Sequence, residues 1–142
     1  MTDFTPVPLI LDSTVLHELA RGEIGTISLI QGYDADGQPM VVSALAITRA
    51  LVDTHTEEAA DAMHGLTSLE YVTVAPLRDT EQAELLAEVV ATTGLEAYEA
   101  HTAAIADISF CPILTMDATR WVDASTHLDE PLHIIEIRDP EG

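Results

Sequence analysis

Two aspartates stand where an α/β protein holds its ligands. Asp12 closes the apolar run Val7 to Leu11 (VPLIL), and Asp117 follows Pro112-Ile113-Leu114-Thr115. In open α/β sheets the ligand crevice lies outside the carboxyl ends of the strands, so acids placed there are the first candidates for chemistry. Carboxylates that converge at one point repel unless a cation sits among them, and Mg²⁺ or Mn²⁺ is the usual occupant of an all-oxygen site. Such a centre hydrolyses phosphodiesters, because the metal lowers the pKa of a bound water and stabilises charge on the attacked phosphoryl group. A structural reading competes: 25 Asp and Glu in 142 residues place acids near strand ends by chance, and either aspartate can cap the helix that follows it.

The elements that must position these acids can be read from periodicity and punctuation. Asp12-Ser13-Thr14 is helix N-cap chemistry, and Val15, Leu16 and Leu19 give helical spacing up to Gly22. Ile24 to Tyr33 reads as a second helix and Asp34 to Pro39 as a turn. Met40 to Ser43 is a brief strand, Ala44 to Val52 an almost wholly apolar helix, and Thr56 to Met63 a short helix. Tyr71 to Val74 is the next strand, and Thr80 to Thr93 an amphipathic helix carrying Leu85, Leu86, Val89 and Val90. Leu95 to Ile108 is a helix whose Ala100, Ala103, Ala104 and Ala106 permit close approach to a sheet; a strand at Pro112 to Thr115, a helix near Ala118 to Val122 and a strand at Leu132 to Ile137 complete the order. Strands alternating with helices predict an α/β fold, a short and mainly parallel central sheet with helices on both faces. We read one domain over residues 1–138 and a short acidic tail over 139–142.

Composition narrows the function classes. The acids face five arginines and no lysine, for a formal net charge of −20 and a pI near 4.2. No basic patch can be assembled from Arg21, Arg49, Arg78, Arg120 and Arg138, and only six residues are aromatic, so tight nucleic-acid binding by the chain alone is disfavoured. The charge favours a basic or metal-ion partner, or general solubility. Cys111 is the only cysteine and reads as a small buried hydrophobe, which leaves no intramolecular disulfide and no thiolate zinc site. No Lys or Arg precedes the apolar residues of Met1 to Pro8, unlike a secretory signal, and no stretch has the length of a membrane span. A soluble cytoplasmic protein is expected. Ser13 and Ser109 lack a nucleophile elbow and no glycine-rich phosphate loop is present. His17 and His101 fall near the crevice but have no zinc spacing, and Trp121 reads as packing the last helix on the sheet.

Read together, two blocks resemble the PIN domain family, which includes VapC-type toxin ribonucleases. Leu9-Ile10-Leu11-Asp12-Ser13-Thr14-Val15-Leu16 is similar to the family's opening strand, first acid and hydroxyl residues. Glu99-Ala100-His101-Thr102-Ala103-Ala104-Ile105-Ala106-Asp107 through Pro112-Ile113-Leu114-Thr115-Met116-Asp117 resembles its acid-led, alanine-rich helix followed by a strand and Thr-x-Asp. The likeness covers the chain in element order and implies a PIN-like three-layer sandwich. It implies Asp12, Glu99 and Asp117 as catalytic and metal-binding acids for Mg²⁺ or Mn²⁺, with Thr115, Ser13 and Thr14 steadying a carboxylate or the metal water.

The second acid of the pattern is missing. After Val42-Ser43-Ala44-Leu45-Ala46-Ile47-Thr48 the matching position is Arg49, with Asp53 one helical turn further on. A guanidinium puts positive charge where a cation would sit and can hold two carboxylates without a metal. Asp53 either pairs with Arg49 at i,i+4 or partly replaces the acid, and the pair is the reading preferred. Two functions follow. One is a Mg²⁺- or Mn²⁺-dependent ribonuclease, with a basic antitoxin-like partner offsetting the charge that repels RNA. The other is a catalytically degenerate PIN-like binding or regulatory module, metal-free and dimeric, in which Arg49 replaces a metal-binding acid and neutralises the remaining ones.

Overall fold

The structure is a computed structural model that describes residues 6–137. The acidic tail read at 139–142 lies outside the described residues. Strand β1 (Leu9–Leu11) is followed by α1 (Ser13–Ala20), α2 (Ile24–Ala35), β2 (Met40–Ser43), α3 (Ala44–Asp53), α4 (Glu57–Thr67) and β3 (Val72–Ala75). The second half runs α5 (Thr80–Thr93), α6 (Ala97–Ser109), β4 (Ile113–Thr115), α7 (Thr119–Ser125) and β5 (Ile134–Glu136). All the strand pairs are parallel, in the order β3-β2-β1-β4-β5. The chain therefore moves outward from β1 to β3, then crosses back to place β4 on the other side of β1. That reversal is a topological switch point, and it puts the ends of β1 and β4, with Asp12 and Asp117, side by side.

The period-two alternation of strand side chains divides the core into two layers. Leu9, Leu11, Met40, Val42 and Leu114 face one layer, packed by Val15, Leu16 and Leu19 of α1, Ala46 and Ala50 of α3, and Met63 and Leu66 of α4. Ile10, Val41 and Ile113 face the other, packed by Leu86 of α5, by Ala100, Ala103 and Ala106 of α6, and by Trp121 and Ala124 of α7. The alanine face of α6 lies against the sheet as its composition predicts. The result is a three-layer α/β/α sandwich. Among the described residues no helix is long and apolar enough to cross a membrane.

Several bounds differ from the sequence reading: α2 runs on to Ala35, β3 is shifted by one residue and α7 reaches Ser125. The fourth helix extends to Thr67 rather than ending at Met63, because Met63 and Leu66 share one buried face. The last strand shortens to three residues at the sheet edge. In α5 only Leu86 is buried, while Leu85 is 46% exposed. An adjacent pair of leucines cannot both face the sheet from one helix, since successive residues are turned by about 100°.

Candidate functional site

Asp12 follows the three buried residues of β1 and caps α1. Its Oδ1 accepts the backbone N–H groups of Thr14 (2.9 Å) and Val15 (3.2 Å) and the hydroxyl of Thr14 (2.5 Å). Its Oδ2 accepts the indole N–H of Trp121 at 2.8 Å. The residue is only 2% exposed. A carboxylate so buried persists because donors replace the water it has lost, and four such donors are protein groups.

The threonines knit β1 to β4. Thr14 Oγ1 also accepts the N–H of Met116 (2.9 Å) and lies 3.2 Å from Thr115 Oγ1. Thr115 Oγ1 in turn accepts the N–H of Asp117 and donates to its carbonyl, each at 3.1 Å. The Thr14 hydroxyl thus bonds the Asp12 carboxylate, whereas Thr115 shapes the turn that carries Asp117. Asp117 is exposed and its Oδ1 accepts the N–H of Thr119 at 3.1 Å, at the start of α7. Ser13 is buried beside Asp12 but bonds to none of the three acids.

Glu99 sits in the first turn of α6, buried, with its carboxylate held by Arg120 of α7. Arg120 Nη2 donates to Oε1 at 2.6 Å and Nε donates to Oε2, a fork that engages both oxygens. Oε1 also accepts the N–H of Glu96 at 3.1 Å. The hydrogen bond to Glu99 raises the Arg120 pKa above its already high ordinary value. Burial raises the neighbouring Tyr98 phenol as well.

One short stretch, 117–121, therefore engages all three acids: Asp117 by its own turn, Glu99 through Arg120 and Asp12 through Trp121. Sharing this stretch does not make a metal site. Asp12 is occupied by four N–H and O–H donors and Glu99 by a guanidinium fork, so the groups facing both carboxylates are cations and donors rather than further oxygen ligands. Among the described residues no three His, Cys, Asp or Glu are arranged to hold an ion.

Arg49 meets one of its two sequence expectations and not the other. It does form the i,i+4 pair with Asp53, bidentate at 3.0 and 2.5 Å. His17 Nε2 lies 2.8 Å from the same carboxylate, and the Arg49 guanidinium stands 5.6 Å from the centre of the Tyr98 ring. The Arg49 hydrogen bond lowers the Asp53 pKa below its ordinary value. Arg49 makes no hydrogen bond or ion pair with Asp12, Glu99 or Asp117. The expectation that it neutralises the remaining acids is corrected: Arg120 does this for Glu99, because α7 rather than α3 carries its guanidinium across to the start of α6. His101, also singled out near the crevice, is buried with Nδ1 at 2.6 Å from Ser43 Oγ, and burial lowers its pKa.

Sequence reading missed Arg120 as the partner of Glu99, since 21 residues separate them and no local spacing joins them. It placed Trp121 correctly as packing, but not as a donor to Asp12. The only available hint was an Arg-Trp pair beginning three residues after a strand-end acid.

No protein-family model matches the sequence, and no curated protein matches it. Among solved structures it is similar to VapBC2 from Rickettsia felis bound to a promoter DNA fragment, with TM-score 0.62, 7% identity, and coverage of 92% of this chain and 99% of that one. A toxin-antitoxin complex from Klebsiella pneumoniae matches with TM-score 0.58 and 13% identity over 89% of this chain and 99% of that one. FitAcB from Neisseria gonorrhoeae gives 0.57 and 13% over 90% and 96%. This chain shares their fold. At such identities the likeness speaks for architecture, and activity must be argued from the side chains above.

Proposed function

We propose that this chain is a PIN-like binding module, of the kind found in toxin-antitoxin assemblies, that does not hydrolyse phosphodiesters. One observation carries the reading: the Asp12 and Glu99 carboxylates are already engaged by Trp121 and Arg120. A metal centre would need those same oxygens. The fork on Glu99 is a metal-free solution to the repulsion that otherwise requires a divalent ion. The net charge of −20 supports a basic protein partner over RNA, and a shared fold with toxin-antitoxin complexes supports the same choice.

The ribonuclease reading rests on the gathering of Asp12, Glu99 and Asp117 around one turn. An RNA cleavage assay with Mg²⁺ or Mn²⁺ separates the two. Wild type is expected to leave structured and unstructured RNA intact, indistinguishable from Asp12→Asn. Metal-dependent cleavage that Asp12→Asn abolishes would establish the enzyme instead.

A further inference from the structure

A second feature lies at the far end of α6 from Glu99. Between α5, the end of α6 and residues 127–130 runs an open groove of about 590 Å³. Its floor is apolar: Leu85 and Val89 of α5, Ile108 of α6, and Phe110 just beyond it. Ile108 is 69% and Phe110 67% exposed, among the most exposed large hydrophobic side chains of the described residues. Phe110 ends α6 on left-handed backbone (φ 57°), a conformation that favours glycine. Neither burial nor local geometry accounts for an aromatic side chain there. The α6 axis carries about 12 Å from Glu99 to Asp107, so this groove is separate from the acid site.

The rim is acidic. Glu88, Asp107, Asp129 and Glu130 border the groove, all exposed, and none receives a hydrogen bond or ion pair from another described residue. An apolar floor under unpaired carboxylates selects one kind of occupant. A second copy of this chain, with a net charge of −20, would bring further acids to an acidic face, and nucleic acid or an anionic membrane would be repelled. A basic amphipathic segment satisfies both features, since its large apolar side chains cover Ile108 and Phe110 while its Lys or Arg side chains reach the rim.

We propose that this groove is the docking site for a basic amphipathic helix of a partner protein. The proposal rests on the reading of the chain as a binding module and names the surface and the partner's chemistry. Metal titration and RNA cleavage test the module reading; titration of this face tests only the groove, so the two can fail separately.

The test uses three probes: a Lys/Leu peptide patterned as an amphipathic helix, its Glu/Leu counterpart, and oligolysine. Amide chemical shifts map the contact and fluorescence anisotropy gives affinity. Saturable binding of the Lys/Leu peptide is expected, with shifts concentrated on α5, the end of α6 and residues 127–130. The Glu/Leu peptide and oligolysine should bind at least about tenfold more weakly. Ile108→Ser with Phe110→Ser, both surface changes, should weaken the Lys/Leu peptide about tenfold or more, as should Glu88→Gln with Asp107→Asn and Glu130→Gln. Circular dichroism confirms that both variants are folded. Equal binding of oligolysine, shifts spread over the acidic surface, or unchanged affinity in the Ile108/Phe110 variant would overturn the proposal.

Discussion

Trp121→Ala is expected to remove about 3–5 kcal/mol of folding stability, measured by urea denaturation, whereas Trp121→Phe removes about 1–3 kcal/mol. Trp121 is 3% exposed and belongs with Ile10, Ile113 and Ala103 to the second core layer. Alanine leaves a cavity there, and it also strips Oδ2 of Asp12 of its donor. Phenylalanine restores most of the volume but not the N–H. The difference between alanine and phenylalanine therefore reports packing, and that between phenylalanine and wild type reports the hydrogen bond to a buried carboxylate together with the smaller remaining loss of volume. If phenylalanine were neutral, Trp121 would be core filling only, and Asp12 would be satisfied without it.

The second large effect is an asymmetry across the Glu99–Arg120 pair. Arg120→Ala is expected to cost about 1–3 kcal/mol, because it leaves a buried carboxylate facing no cation. The value is set below that of a fully buried pair because the Arg120 side chain is 53% exposed and water can partly take its place. Glu99→Gln should cost no more than about 1 kcal/mol, since it removes the buried charge and leaves the arginine free to turn to solvent. Denaturant midpoints for both variants check the order. The reverse order would mean that the negative charge of Glu99 is itself stabilising and does not depend on Arg120, since glutamine keeps the acceptor that bonds the Glu96 N–H.

Much of the fold was legible because each signal was local. Among the described residues the five strands and seven helices follow from short apolar runs, small-residue helix faces and punctuation such as Asp12, which caps its helix in the structure. The Arg49–Asp53 pair was legible for the same reason, lying one turn apart on one helix. What could not be read was which cation meets which acid across the sheet. Arg49 occupied the expected sequence position, but its own helix supplies Asp53 at bonding distance. Arg120 comes from a different element, and its reach to Glu99 depends on how α7 packs after β4. The exposure of Ile108 and Phe110 was equally hidden, because the alanine face of α6 satisfies the sheet and leaves its carboxyl end unused.

Calorimetric titration with Mn²⁺ addresses most directly whether Trp121 and Arg120 have taken the place of a metal. Wild type and Asp12→Asn are expected to give the same weak, non-saturating heats, the general response of a chain with a net charge of −20. Saturable binding by the wild type that Asp12→Asn abolishes would show that the carboxylates release their internal donors for an ion, contradicting the proposal of a site without metal.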